Sequence, residues 1–194
     1  VELAKLRGIK MTKTLFLVRH GKAQGQQPEA SLTPEGIAQA LRIADILEST
    51  QIQQIISSPF TRAVQSIEPL ANRLALKIEL DERLVEANLS TVNYTDWLDR
   101  LRATFDDFEL AFEGGESSRV ASERGIAAVN DALLSSKNPI AIVTHGRLMT
   151  LILRHFDSQY GFDNWKNLTS PDVFQMTIAG AEPTIARLWK SEEA

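Results

Sequence analysis

Short apolar runs alternate along this chain with longer segments whose apolar residues recur every three to four positions. Leu15–Val18, Gln54–Ser57, Lys77–Leu80 and Pro139–Thr144 have the length and composition of strands. After the first run, Thr33 followed by Pro34 gives an N-cap and a first-turn proline, and Ile37, Leu41, Ala44 and Leu47 keep a helical period behind them. Ser58-Pro59 repeats that signal and predicts a helix to about Ala75. Two further helices are expected over 95–108 and 117–136, and another from the end of the Pro139–Thr144 strand through His155. Val173–Ile178 and Thr184–Trp189, either side of Gly180 and Pro183, read as a terminal pair of strands. Strands and helices in alternation predict an α/β fold. The expected architecture is three-layered, a mostly parallel sheet with helices on both faces and an antiparallel edge.

Composition narrows the function classes. At 194 residues and 43% apolar the chain suits one domain with a sizeable core, expected over 11–194, with residues 1–10 before Met11 as an N-terminal extension. No run of about 18 apolar residues predicts a membrane span. A formal net charge of −4 argues against general nucleic-acid or anionic-membrane binding. Cysteine is absent, which excludes disulfides, thiolate metal sites and a cysteine nucleophile within these residues. That suits a reducing compartment, and the expected location is the cytoplasm.

In open α/β sheets the ligand lies outside the carboxyl ends of the strands, so the residues just after each apolar run matter most. Leu15–Val18 ends in Arg19-His20-Gly21, and Ile140–Val143 ends in Thr144-His145-Gly146. Two of the three histidines therefore occupy the same place: after a strand, before a glycine that permits a sharp turn and a close ligand. The third, His155, is read as an ordinary helix residue. Arg62 falls in the first turn of a helix, where a cation is unfavourable unless an anion is near. Arg19 stands at the mouth of an apolar strand and needs an anionic partner. Two imidazoles and two guanidinium groups at three strand ends suit a phosphoryl group, because planar forks grip phosphate oxygens. A metal is disfavoured: His20 and His145 share no helical spacing, and two arginines would repel a dication. A leaving oxygen needs a proton, and Asp81, Glu82 and Glu86 all follow the Lys77–Leu80 run. The residues alone leave that choice open.

These residues resemble the histidine phosphatase superfamily, the phosphoglycerate-mutase-like fold. Leu17-Val18-Arg19-His20-Gly21 is similar to its Arg-His-Gly signature, and Thr144-His145-Gly146 to its second histidine. Leu32-Thr33-Pro34-Glu35-Gly36 with Gln39-Ala40 resembles its Leu-Thr-x-x-Gly-x-x-Gln-Ala helix. Ser57-Ser58-Pro59 through Arg62-Ala63 with Gln65, Leu84-x-Glu86, and Gly114-Gly115-Glu116-Ser117 resemble three more of its motifs. The resemblance implies a phosphohistidine on His20, phosphate held by Arg19, Arg62 and His145 with Gly21 and Gln26 beside them, and Glu86 as proton donor. It implies neither metal nor organic cofactor. Its substrate would be a small phosphomonoester or phosphorylated metabolite. The chain departs from the family in having Ala23 and Gln26 where Thr or Ser and Asn are frequent, and Ala87-Asn88-Leu89-Ser90 after the acid.

Glu86 and His145 are 58 residues apart in the intervening count, far fewer than in the glycolytic mutases of that family, which favours a plain phosphatase. Tyr94, Trp97, Phe105, Phe108 and Phe112 in this segment are expected chiefly as helix core contacts, with a substrate pocket as the other reading. The alternatives to hydrolysis are a mutase-type phosphotransferase and a domain that binds a phosphorylated ligand without turnover.

Overall fold

In the computed structural model, which describes residues 12–179 and 183–190, the apolar runs become the centre of a six-stranded sheet. The proposed extension 1–10, Met11 and Gly180 lie outside the described residues. In chain order the elements are β1 (Lys13–Arg19), α1 (Pro34–Leu47), β2 (Gln54–Ser57), α2 (Thr61–Leu74), β3 (Ile78–Leu80), α3 (Trp97–Asp106), α4 (Ser118–Leu134), β4 (Ile140–Thr144), α5 (Gly146–Phe156), α6 (Phe162–Lys166), β5 (Asp172–Ile178) and β6 (Pro183–Arg187).

The strand order is β3-β2-β4-β1-β5-β6. The first four are mutually parallel, and β5 pairs antiparallel with both β1 and β6. β1 and β4 lie side by side in register, with Arg19 opposite Thr144, so His20 and His145 leave the sheet at the same height.

Alternation along each strand sorts the side chains into two cores. Leu15, Leu17, Ile140 and Ile142 face one side with α3–α6, and Phe16, Val18, Ala141 and Val143 face the other with α1 and α2. A helix layer on each face makes the fold the three-layer α/β arrangement expected. Fully burying one such aliphatic side chain contributes about 1.5–3 kcal/mol, and all five residues of β4 are buried.

Two local expectations need correction. Ser58-Pro59 does not open α2: the helix begins at Thr61, and its N-cap, Phe60, has no capping side chain. The Ser58 hydroxyl bonds the His145 ring instead, at 2.8 Å from Nε2. Helix α6 has five residues and went unanticipated, because so short a segment leaves no periodicity to read. The aromatic segment is divided. Phe105 is core, against Phe162, while Tyr94 and Phe112 stack with Arg100 and Trp97 stands half exposed beside Trp165.

Candidate active site

The carboxyl edge of the sheet gathers the predicted residues. His20 leaves β1 with its N–H on the Thr144 carbonyl, 3.2 Å away. Gly21 then donates to Ser66 Oγ (2.9 Å), and Ser66 donates to the Arg62 carbonyl (2.6 Å), which ties the turn after His20 to α2. From the other side the first turn of α1 supports the same turn. Lys22 N–H donates to Gln39 Oε1 (2.8 Å), Thr33 N–H donates to the Lys22 carbonyl (2.9 Å), and Gly36 lies so close that any Cβ would overlap that carbonyl.

The His20 and His145 rings meet edge to face with centroids 5.0 Å apart. His20 Nδ1 lies 2.7 Å from its neighbour's carbonyl oxygen, on Gly21. Only a protonated Nδ1 can make that bond, so the lone pair is on Nε2. Arg62 Nε donates to that Nε2 at 3.2 Å. Burial first, then the Arg62 and Arg19 charges, push the His20 pKa down to about 3, so its imidazole is neutral at ordinary pH. Burial likewise holds His145 well below its usual value, helped by His20 and the arginines.

Several donors here have no protein acceptor. His145 is fully buried, and its Nδ1 has no partner. Ser58 Oγ accepts from Phe60 N–H, which leaves its own proton free for His145 Nε2, and in that arrangement the ring hydrogen is on the unpaired Nδ1. Arg19 Nε is also buried and unpaired, while its Nη1 is fixed by the Leu168 and Thr169 carbonyls. Gly146 makes this possible: a Cβ there would press on the Arg19 guanidinium at 3.1–3.2 Å. Buried polar groups are normally satisfied. Two unpaired N–H donors beside a buried guanidinium, Arg62, describe an anion site.

Glu86 lies at the first turn of α5. Its carboxylate accepts from the N–H groups of Ala87 (2.8 Å), Leu148 (3.1 Å) and Arg147 (3.3 Å), and its charge acts on both Arg19 and Arg62. The other two candidate acids are elsewhere. Asp81 caps the turn Glu82–Leu84 and pairs with Arg83, and Glu82 is exposed. Gln26 differs from expectation: it is exposed, and it joins the network through its backbone carbonyl, which accepts from Arg62 Nη1 at 3.2 Å. His155 sits in the last turn of α5, against Phe156. Among the described residues no group of His, Asp and Glu could hold a metal ion, and no helix is long and apolar enough to cross a membrane.

Residues 15–188 match the histidine phosphatase superfamily (branch 1). The chain belongs to this superfamily. Among its relatives, a glucosyl-3-phosphoglycerate phosphatase of Mycolicibacterium vanbaalenii is 27% identical over 164 residues, 72% of each chain. An uncharacterised protein of Mycobacterium tuberculosis is 36% identical over 80 residues, and the match spans 38% of this chain and 40% of that relative. The structure of a mycobacterial glucosyl-3-phosphoglycerate phosphatase superposes with a TM-score of 0.75 at 23% identity, covering 91% of this chain and 98% of that one. That likeness is one of fold.

Three arginine-containing features of this superfamily member escaped the sequence reading. Arg124 is not marked by any strand end, Arg147 was not singled out, and Asp172 fixes Arg187 against the 167–169 turn that holds Arg19. Arg147 had one legible signal, its place two residues after His145 in the first turn of a helix.

Proposed function

We propose that this chain is a phosphomonoester hydrolase that works through a phosphohistidine on His20. The observation that carries the reading is the His20 ring itself. It is neutral at ordinary pH, its tautomer is fixed by Gly21, and its Nε2 lone pair faces Arg62, with the His145 ring edge to face beside it.

An arriving phosphoryl group offers its oxygens to Arg62, His145 Nδ1–H and Arg19. Once Arg62 turns its N–H to the phosphate, the Nε2 lone pair is released to phosphorus. The P–Nε2 bond forms as the ester P–O bond breaks, and Glu86 gives its proton to the departing oxygen. Water then attacks phosphorus, Glu86 takes the water's proton, and the P–Nε2 bond breaks to free phosphate. Arg and His N–H groups supply the positive charge that the transition state needs.

The substrate in this reading is a small phosphorylated metabolite. The glucosyl-3-phosphoglycerate named for the relatives makes sugar-bearing phosphoglycerates the first compounds to assay. The proposed location is cytoplasmic. The short segment between Glu86 and His145 favours release of phosphate over its return to a bound hydroxyl.

Quenching without acid under excess substrate is expected to trap an acid-labile, base-stable phosphoenzyme that His20→Ala cannot form. Phosphate found on serine, or normal turnover by His20→Ala, would overturn the mechanism. A panel of phosphomonoesters with phosphoglycerates included separates hydrolysis from mutase activity and from binding without turnover.

A further inference from the structure

Glu86 comes from a loop, yet its carboxylate is delivered to the first turn of α5. A loop acid six residues beyond a three-residue strand has little of its own to fix its position, so what holds this loop decides where the proton donor stands.

The holding groups are specific. Arg147 is 3% exposed, and its side chain folds back over the loop that follows Glu86. Its Nη1 donates to the carbonyls of Ala87 (3.3 Å) and Asn88 (3.2 Å), and its Nη2 to the Glu116 carbonyl (3.3 Å) and Ser118 Oγ (3.3 Å). The same residue's backbone N–H binds the Glu86 carboxylate. Arg124 holds the approach to Glu86: its Nη1 donates to the carbonyls of Arg83 (2.7 Å) and Val85 (2.8 Å), while Nε and Nη2 grip the Glu116 carboxylate. Glu116 N–H in turn donates to the Asn88 carbonyl at 3.0 Å. Gly114, at φ 66°, and Gly115 bring this chain against Thr91 and Leu89, where side chains would collide.

This is a costly way to pack a loop. Arg147 Nε is buried without a partner, and among the described residues no carboxylate pairs with its guanidinium. Burial lowers its pKa, partly offset by the Glu86 and Glu116 charges. A well-packed apolar residue is often as stable as a buried ion or better. Both terminal nitrogens are committed to the loop, which leaves them unavailable to a phosphate.

We propose that Arg147, backed by Arg124 and Glu116, is a positioning residue that sets the place of the proton donor Glu86. The inference rests on Glu86 being that donor. Arg147 acts through Glu86 alone, so its loss weakens protonation of the leaving group and leaves the phosphate contacts in place.

The test compares kcat/KM for an alkyl phosphate, which needs a proton on its leaving oxygen, with nitrophenyl phosphate, which does not. Arg147→Met removes the fork, and Arg147→Lys keeps the charge but cannot span three carbonyls, so it decides the matter if the first variant fails to fold. Both are expected to lose about tenfold or more on the alkyl ester and less than about threefold on the nitrophenyl ester, a fraction of what a general acid contributes. In a Glu86→Gln background the alkyl-specific loss from Arg147→Lys should vanish. Equal losses on both esters, wild-type kinetics, or a loss that persists beside Glu86→Gln would overturn the inference. Should Glu86→Gln itself fail to distinguish the esters, the donor assignment falls instead.

Discussion

Arg62 is 1% exposed, and it does two things at once. Its Nε faces His20 Nε2, and its Nη1 holds the carbonyls of Gln26 and Gln27. A cation in a helix's first turn calls for an anion nearby, and the structure turns this one inward, toward His20. Arg62→Ala is expected to cost about 2–4 kcal/mol of transition-state stabilisation, the range for a preorganised contact to developing charge. The measurement is kcat/KM with nitrophenyl phosphate, beside a melting curve that reports the freed Gln26–Gln27 turn. Unchanged kinetics would place Arg62 outside the site. Arg62→Lys should recover only part of the loss, because an ammonium lacks the fork that spans His20 and the two carbonyls.

At the scale of elements, motifs that read as helix signals prove to be supports for the His20 turn. Gln39 accepts from Lys22, Gln65 accepts from Leu32 at 2.8 Å, and Gly36 touches the Lys22 carbonyl. Gly36 serves close approach, since its φ is not among the positive ones. Gly36→Ala should therefore push α1 and the His20 turn apart. Overpacking of this kind costs about 1–3 kcal/mol. The expected result is a lower urea midpoint together with a lower kcat/KM, because the displaced turn carries the proposed nucleophile. A variant with wild-type stability and rate would show that the turn can move without consequence. These glycine and glutamine positions are legible as residues in the sequence, but their purpose is not. Each acts on a partner 14 to 33 positions away, and no local period reports such a contact.

At the scale of the molecule, the fold buries two neutral imidazoles among guanidinium groups, and this has a pH signature. His20 titrates at about 3 when folded, against an ordinary value of 6.5, and His145 shifts the same way. The unfolded chain therefore binds more protons than the folded one between those values. Stability from these groups is complete above pH 6.5 and is lost as pH falls toward 3. His20 contributes about 1.4 kcal/mol per pH unit within that window, and His145 acts in the same direction. Urea unfolding between pH 7 and 4 should show a shallower decline for His20→Gln than for the unaltered chain. Parallel declines would mean that His20 is protonated in the folded protein.

The α/β class, the strand ends and the identities of Arg19, His20, Arg62 and His145 are determined by the sequence. Apolar runs, caps and the residues beside them are local, and a strand's carboxyl end is where its following residues must emerge. Gln26 shows the limit of such reasoning, for its residue type suits a phosphate contact while its backbone is what Arg62 engages. The residues taken alone left the acid open and only the family resemblance pointed to Glu86; the tertiary structure shows Glu86 to be the one whose charge acts on Arg19 and Arg62. Asp81, Glu82 and Glu86 share one short segment and similar chemistry. Glu86 is set apart by the backbone N–H groups of α5, which begins 60 residues later and is brought there by β4 entering the middle of the sheet. Strand order is a property of long-range pairing, so neither that placement nor the Arg124 and Arg147 brace behind it could be read from spacing.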